Sequence, residues 1–563
     1  MKTKIALCLI FLIALFLRFH KLTEVPPGFH IDEVSIGYNA YSLMETGKDV
    51  NGNFLPLYID SFGDQRPAGY FYLTVPAIKI FGLNEFAVRF PSALCGVLTV
   101  ILVFFLAKEL FLNQTIASIS SFLLAISPWH IIVSRASSET SFALFLVILG
   151  IYLIIKAIKK QKYFYLFFAL LLFSISFCTY HTPRVFVPLL VLELGLCWKQ
   201  GIKPSKTKKI WLVFLFICFF LSLLSFLIGP GRGRFKQVSI FSNPGVQLRL
   251  DEQIREEKTD TNIFLVRLFH NKLVNYGLAT LSNYGKHFDF EFLFIKGGLP
   301  MRYFVPEMGL LYLAELPFFI LGIIFILKTK GISWFVLYWL LVGPIAAALT
   351  QEDIPNIQRA FFMLPSFQLI TAFGLYRIND FLKKENKIRF IFISLSIILL
   401  IYNFSYFLHQ YYFHQRVYRP WYRNYGFKQM IESLDKYKAD YDQIVITKSH
   451  DDPYIYILFY NHYDPRLYQQ YRLLRVKDKW GFEQYVFHPS ECPSHQEEDI
   501  LQSGERLFVD KGECKVMPYS RVLDTIYRED QTPVFRLLEV DKEKAIEYFI
   551  NQENLVSEDR GEK

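Results

Sequence analysis

Apolar residues run along this chain in stretches of about 20, the length that carries a helix across a bilayer, and short lysine-rich segments separate them. On that rule the pattern predicts about eleven spans, near residues 4–19, 88–107, 115–133, 140–158, 163–180, 184–198, 210–229, 308–327, 332–350, 359–376 and 389–409. Two of the polar interruptions are long, at 20–87 and 230–306. In the first, 35–46 reads as a helix and 70–81 as an apolar piece too short to span, lying along the interface. In the second, Ile263, Val266, Phe269, Leu273, Val274 and Tyr276 recur near helical spacing. Beyond residue 411 the composition turns mixed polar and aromatic. There 443–447 and 506–510 read as buried strands, and 428–437 and 453–460 as helices. The expected fold is an α-helical polytopic membrane domain over 1–411, followed by an α/β domain over 412–563.

Charge gives the orientation. With the N-terminus inside, the inner loops carry Lys156, Lys159, Lys160 and Lys162, then Lys199, Lys203, Lys206, Lys208 and Lys209, then Lys328 and Lys330, then Lys383, Lys384, Lys387 and Arg389. The short outer loops hold little beyond Arg135, Arg184 and Arg359, so the positive-inside rule puts the C-terminal domain outside the cytoplasm. The same rule accounts for the net charge of +10, and no nucleic-acid partner is expected. The first apolar run follows Lys2 and Lys4 and has no small-residue cleavage site behind it, which predicts a retained span rather than a cleaved signal peptide. Cys8, Cys95, Cys178, Cys197 and Cys218 fall in or beside apolar runs, where cysteine acts as a small hydrophobe. Cys492 and Cys514 lie in the outer domain and are either a disulfide or two free thiols.

The conspicuous polar residues of the membrane part fall on the outer side. Phe29-His30-Ile31-Asp32-Glu33 brings an acidic pair to the membrane surface, and Arg66-Pro67-Ala68-Gly69-Tyr70 follows in the same loop. A carboxylate there can take a proton from an attacking hydroxyl, or Asp32 can cap a helix with Glu33 in its first turn. Arg66 can hold an anionic phosphate or snorkel at the interface. Glu139 faces a polar interior, or pairs with Arg135 one helical turn away. His181, Arg184, His287, Arg302, Glu307, Glu352, Asp353 and Arg359 are each ordinary loop residues alone. Together they describe an outward polar cavity with carboxylates and arginines, suited to a substrate bearing a phosphate and a hydroxyl.

Other patterns are weak. Gly229-Pro-Gly-Arg-Gly-Arg234 follows no strand and reads as a turn out of the membrane. Asn113-Gln-Thr115 fits a glycosylation sequon but falls on the cytoplasmic side. The chain has no Walker motif, no His-Glu-x-x-His and no Gly-x-Ser-x-Gly, against an ATP-driven transporter and the commonest hydrolases.

The run from His30-Ile-Asp-Glu33 through Arg66-Pro-Ala-Gly69 to Phe81-Gly-Leu-Asn-Glu-Phe-Ala-Val-Arg-Phe-Pro91 resembles the first outer loop of the GT-C superfamily of membrane glycosyltransferases. More narrowly, it is similar to the dolichyl-phosphate-mannose protein mannosyltransferases and the bacterial lipid A aminoarabinose transferase. Ser127-Pro-Trp-His130 with Glu139, Gly297-Gly298, and Gly309-Leu-Leu-Tyr-Leu-Ala-Glu-Leu-Pro317 add to the resemblance, which covers roughly the first four hundred residues. It implies an inverting transfer of one sugar, a hexose such as mannose, from a polyprenyl-phosphate carrier to an acceptor on the extracytoplasmic face of a bacterial plasma membrane. By the same resemblance Asp32 is the general base and Glu33 shapes the site. Arg66 stands where the aminoarabinose transferases have a lysine before proline and neutralises the leaving phosphate. Glu139 stands where those enzymes have Asp. Arg302 and Arg359 are further candidates for the leaving-group charge, and His287 lines the site.

A lipid phosphodiester is already a good leaving group, so no cofactor is required and no metal-ligand set is read, the use of a divalent metal staying open, and arginines can supply the charge stabilisation. The partners expected are the polyprenyl-phosphate sugar, an acceptor that is protein, glycan or lipid, and membrane lipids. Three rivals stand beside this reading, one of them a non-catalytic receptor whose C-terminal domain does the work, which predicts that Asp32→Asn is silent. A diphosphate-lipid oligosaccharide transferase or ligase predicts dependence on a divalent metal. A lipid or sugar transporter predicts inverted repeats, which the sequence does not show.

Overall fold

The computed structural model describes residues 2–198, 205–227, 237–257, 262–329, 333–448, 451–473 and 481–561. Lys199, Lys203, Lys330 and the loop from Gly229 to Arg234 lie outside the described residues. The chain divides into two compact units. The first holds Met1–Leu22, Pro56–Leu73 and Arg89–Phe413; the second holds Thr23–Leu55, Thr74–Val88 and His414–Lys563. The C-terminal domain thus begins two residues beyond the expected boundary, and parts of the first long loop fold with it.

The first unit is helical. Among the described residues four helices are long and apolar enough to cross a membrane: Glu85–Phe111, Glu139–Lys160, Arg359–Lys384 and Asn386–Val417. Several shorter apolar helices accompany them, as in an α-helical polytopic membrane protein. The helix Asn386–His409 turns Ile388, Phe390, Ile391, Ile398 and Ile401 outward, which suits hydrocarbon and not water.

The span expected at 115–133 is not one straight helix. It is Gln114–Ile126 and Pro128–Arg135, bent by 54°. Pro128 is the cause: it has no N–H to donate, and its ring excludes a preceding helical turn. The carbonyls left over at the break are met by side chains, as burial requires. Arg18 donates to Ala125 O at 3.0 Å and Leu124 O at 3.2 Å, and the Tyr312 hydroxyl donates to Ile126 O at 2.6 Å. Two other expected spans are shorter as helices, with Leu316–Leu327 inside 308–327 and Ser333–Val342 inside 332–350, while the span expected at 359–376 lies within Arg359–Lys384. The Asn113 side chain caps the helix that follows, accepting from Thr115 N at 2.8 Å and Ile116 N at 3.1 Å.

A small hairpin belongs to the first unit. Strands β1 (Tyr58–Ser61) and β2 (Asp64–Pro67) pair antiparallel through the two-residue turn Phe62-Gly63, both at positive φ, the geometry whose twist suits a tight hairpin. Arg66 faces Ile59 across it. The chain leaves the hairpin at Gly69, where a Cβ would come within 2.5 Å of Thr179 Oγ1 and 2.8 Å of Cys178 O. Only glycine lets these backbones approach so closely.

The second unit is built on a six-stranded sheet: β3 (Gln443–Thr447), β4 (Gly481–Phe482), β5 (Tyr485–His488), β6 (Arg506–Lys511), β7 (Ser520–Tyr527) and β8 (Pro533–Val540), in the order β4-β5-β3-β6-β8-β7. β3 runs parallel to both β5 and β6 and is buried along Ile444–Thr447, as its unbroken apolar run predicts. Val445, Phe508, Leu538, Ile500 and Tyr519 form one core cluster. Cys492 and Cys514 are joined as a disulfide. The helix Ile31–Thr46 belongs to this unit and packs on the helix Tyr454–Tyr460 through Gly37, whose missing side chain makes room for the Phe459 ring.

Candidate functional site

Arg66 forms a salt bridge with Glu139, and both side chains are nearly buried, at 12% and 5% exposure. Glu139 opens the helix Glu139–Lys160, where the N-terminal dipole favours a carboxylate. The expected alternative, an Arg135–Glu139 pair, does not form. Arg135 instead donates to Leu17 O and His20 O, each at 2.8 Å, and lies over the Tyr411 and Tyr412 rings. Arg135 is taken up by the carbonyls that end the first helix, and Glu139 is left to Arg66.

Beside Glu139, the Ser138 hydroxyl accepts from Gln358 Nε2 at 3.4 Å, and Gln358 Oε1 accepts from Arg302 at 3.3 Å. Two loops are paired to make this possible. Leu299 N donates to Pro355 O at 3.0 Å and Ile357 N donates to Leu299 O at 2.6 Å, so the Arg302 and Arg359 loops run side by side. Trp129, from the Ser127-Pro-Trp-His130 motif, fastens the second loop by donating to Ile357 O at 2.9 Å. Arg359 donates to Thr350 Oγ1 and Glu352 O, both at 2.8 Å. Tyr180 lies in electrostatic reach of Arg359, Glu139, Tyr303 and Arg302. The first unit therefore brings the partly buried Arg66, Arg302 and Arg359 and the buried Glu139 into one neighbourhood, which can bind and stabilise an anion such as a phosphate.

His287 supports this neighbourhood from behind. Its Nδ1 faces Asn283 O at 2.8 Å, which puts the proton there, and its Nε2 accepts from Asn356 N at 3.1 Å. Asn356 in turn accepts from Gln358 N at 3.0 Å and Arg359 N at 2.7 Å. Burial pushes His287 down to about 4; the Asn283 carbonyl opposes the shift, and Arg359 and Lys286 add to it. The imidazole is thus neutral in the fold, with a folded pKa below the unfolded value of about 6.5. Between those values the unfolded chain binds more protons, so stability falls as pH drops from about 6.5 to 4, by about 3 kcal/mol in all. Thermal unfolding of the purified protein across that range should show the decline, and His287→Gln should flatten it.

Asp32 and Glu33 belong to the second unit. The capping role expected of Asp32 falls to His30, whose Nδ1 accepts from Asp32 N at 3.1 Å while the Glu33 carboxylate accepts from His30 N at 3.3 Å. Asp32 is the second residue of the helix, its side chain 26% exposed, whereas Glu33 is buried. Asn424 Oδ1 accepts from Ile31 N at 3.1 Å, and its amide donates to Asp451. The Tyr456 hydroxyl donates to Phe29 O at 3.1 Å. Ser138, Asn356, Gln358, Asn424 and Tyr456 were not legible as site residues, because uncharged side chains in loops carry no periodic or charge signal.

Among family models, the one for dolichyl-phosphate-mannose-protein mannosyltransferase matches residues 65–226, the segment holding Arg66 and Glu139. The candidate mannosyltransferase YkcB of Bacillus subtilis (strain 168) is 34% identical over 131 residues, 23% of this chain and 18% of that protein. An uncharacterized protein of Aquifex aeolicus (strain VF5) is 30% identical over 155 residues, 26% of this chain and 31% of that protein. The matches therefore span less than a third of these curated relatives. The oligosaccharyltransferase AglB of Archaeoglobus fulgidus, solved with an inhibitory peptide and a dolichol-phosphate, superposes with a TM-score of 0.53 at 13% identity, over 90% of this chain and 69% of that one. ArnT of Cupriavidus metallidurans bound to undecaprenyl phosphate superposes with a TM-score of 0.50 at 9% identity, over 95% of this chain and 97% of that one. The chain thus shares the fold of the GT-C membrane glycosyltransferases and, over residues 65–226, resembles the dolichyl-phosphate-mannose protein mannosyltransferases.

Proposed function

We propose that this protein is an inverting glycosyltransferase that moves a single sugar, a hexose such as mannose, from a polyprenyl-phosphate carrier to an acceptor hydroxyl. The observation that carries the reading is the buried Arg66–Glu139 pair, set among Arg302 and Arg359 and lying within the segment matched to the mannosyltransferase family. In the proposed reaction the Asp32 carboxylate takes the acceptor's hydroxyl proton as that oxygen attacks the anomeric carbon. The bond from that carbon to the phosphate oxygen breaks, and the lipid phosphate leaves with the electron pair. Arg66 neutralises the developing charge, Glu139 fixes the Arg66 fork, and Arg302 and Arg359 add positive potential. A phosphomonoester leaving group held by guanidinium groups calls for no divalent metal.

The reading includes about eleven spans with the N-terminus inside, an extracytoplasmic C-terminal domain and a bacterial plasma membrane as the address. The lysine distribution supports the orientation, and the Cys492–Cys514 disulfide supports an oxidising compartment for the domain. The test is transfer of label from polyprenyl-phosphate mannose, and separately from a polyprenyl-diphosphate oligosaccharide, in membranes containing the protein with and without EDTA. EDTA-resistant transfer from the monophosphate donor is expected. Transfer from the diphosphate donor alone, abolished by EDTA, would replace this reading with an oligosaccharide transferase.

A further inference from the structure

The second unit contains Asp32 but little else that the proposed reaction uses, so the contacts that hold Asp32 there are informative. Gly28 turns at φ 76°, and a Cβ on it would lie 2.4 Å from Arg423 O. The segment after Gly28 is then gripped from the C-terminal domain. Tyr456 hydrogen-bonds Phe29 O, and the Tyr456 ring is itself fixed by stacking on Phe427 at 4.2 Å. Phe29 packs on Phe459 at 5.2 Å.

Asn424 is the centre of the grip. It is buried and stands in the left-handed region at φ 54°, which asparagine tolerates better than most residues. One side of its amide accepts from the first N–H of the Asp32 helix, and the other donates to Asp451.

We propose that the C-terminal domain is a working part of the transferase rather than a cap, and that Asn424 and Asp451 are positioning residues which fix the orientation of Asp32 and the charge around it. The inference rests on Asp32 being the base. Asp451 lies in electrostatic reach of Asp32; the residue is exposed, and its carboxyl is shifted up only as far as its surroundings desolvate it, with Asn424 opposing the shift and Asp452 and Asp32 reinforcing it. His30 Nδ1 stands 3.7 Å from the Asp32 carboxylate, Asp32 and Glu33 both lie in electrostatic reach of Tyr456, and Asp452 is paired with Lys448 at 2.9 Å. A like charge close by disfavours ionisation of a carboxylate, so Asp451 is placed to tune the base.

Two variants of the full-length protein test this. Asn424→Gly keeps the left-handed backbone without strain and removes only the amide. It should lower kcat for transfer from polyprenyl-phosphate mannose about tenfold or more, leave the donor KM within about twofold, and speed amide exchange in residues 29–36. Asp451→Asn keeps the shape and removes the charge, so the acidic limb of the pH profile should move down. Wild-type kcat in Asn424→Gly and an unmoved acidic limb in Asp451→Asn, with Asp32→Asn inactive, overturn the inference and leave the reading of Asp32 intact. Full transfer by Asp32→Asn overturns the reading of Asp32, and this inference with it.

Discussion

Asp32→Asn is expected to lower sugar transfer from a polyprenyl-phosphate hexose by about 10²–10⁴-fold, the range that one general base contributes. The substitution is isosteric, so its effect separates proton acceptance from packing. His30, not Asp32, caps the helix Ile31–Thr46, and the Asp32 backbone N–H that bonds to His30 Nδ1 survives the change. The fold and the unfolding midpoint should therefore hold to within about 0.5 kcal/mol, and donor binding should be unchanged because the phosphate contacts are assigned to arginines. Single-turnover transfer and equilibrium binding of the donor, measured on the same membranes, check both halves. A variant that transfers normally would move the base elsewhere, with Glu139 the next carboxylate to test.

How much of this could be read from the sequence depends on the signal each feature leaves. The apolar runs gave the helices, because hydrocarbon length sets a period that composition alone reveals. They did not give the break at Ser127-Pro128, since Leu123 to Ile126 and Ile131 to Val133 are as apolar as any span; only Pro128 marked it. Arg66 and Glu139 stood out as charges in an apolar context, but their pairing depends on Arg135 being occupied by the carbonyls of Leu17 and His20, more than a hundred residues away in the chain. The strands β3 and β6 were legible as short β-branched or apolar runs, while β7, in which the neighbouring Arg521 and Val522 are both exposed, was not. The largest gap is the membership of the second unit. That residues 23–55 fold with the C-terminal domain rests on side chains such as Asn424, Tyr456 and Phe459, whose partners lie some four hundred residues upstream. No local pattern encodes such contacts.

Arg66→Ala carries the other large expected effect, on stability and activity together. Removing the guanidinium leaves Glu139 as an uncompensated carboxylate with a side chain 5% exposed, and breaking a buried pair from one side costs about 3–5 kcal/mol. Loss of the charge proposed to neutralise the leaving phosphate should reduce transfer about 10²–10³-fold, the effect of deleting one preorganised donor. The two consequences can be separated. Replacing both partners with apolar residues of similar volume, Arg66→Met with Glu139→Leu, removes the buried charges together, so stability should return to near the wild-type value or above it. Transfer should stay low, because no apolar pair can stabilise a phosphate. Recovery of both stability and transfer in the double variant would make the pair a structural device, and the charge for the leaving group would then have to come from Arg302 or Arg359, which meet the Glu139 neighbourhood through Gln358 and Asn356.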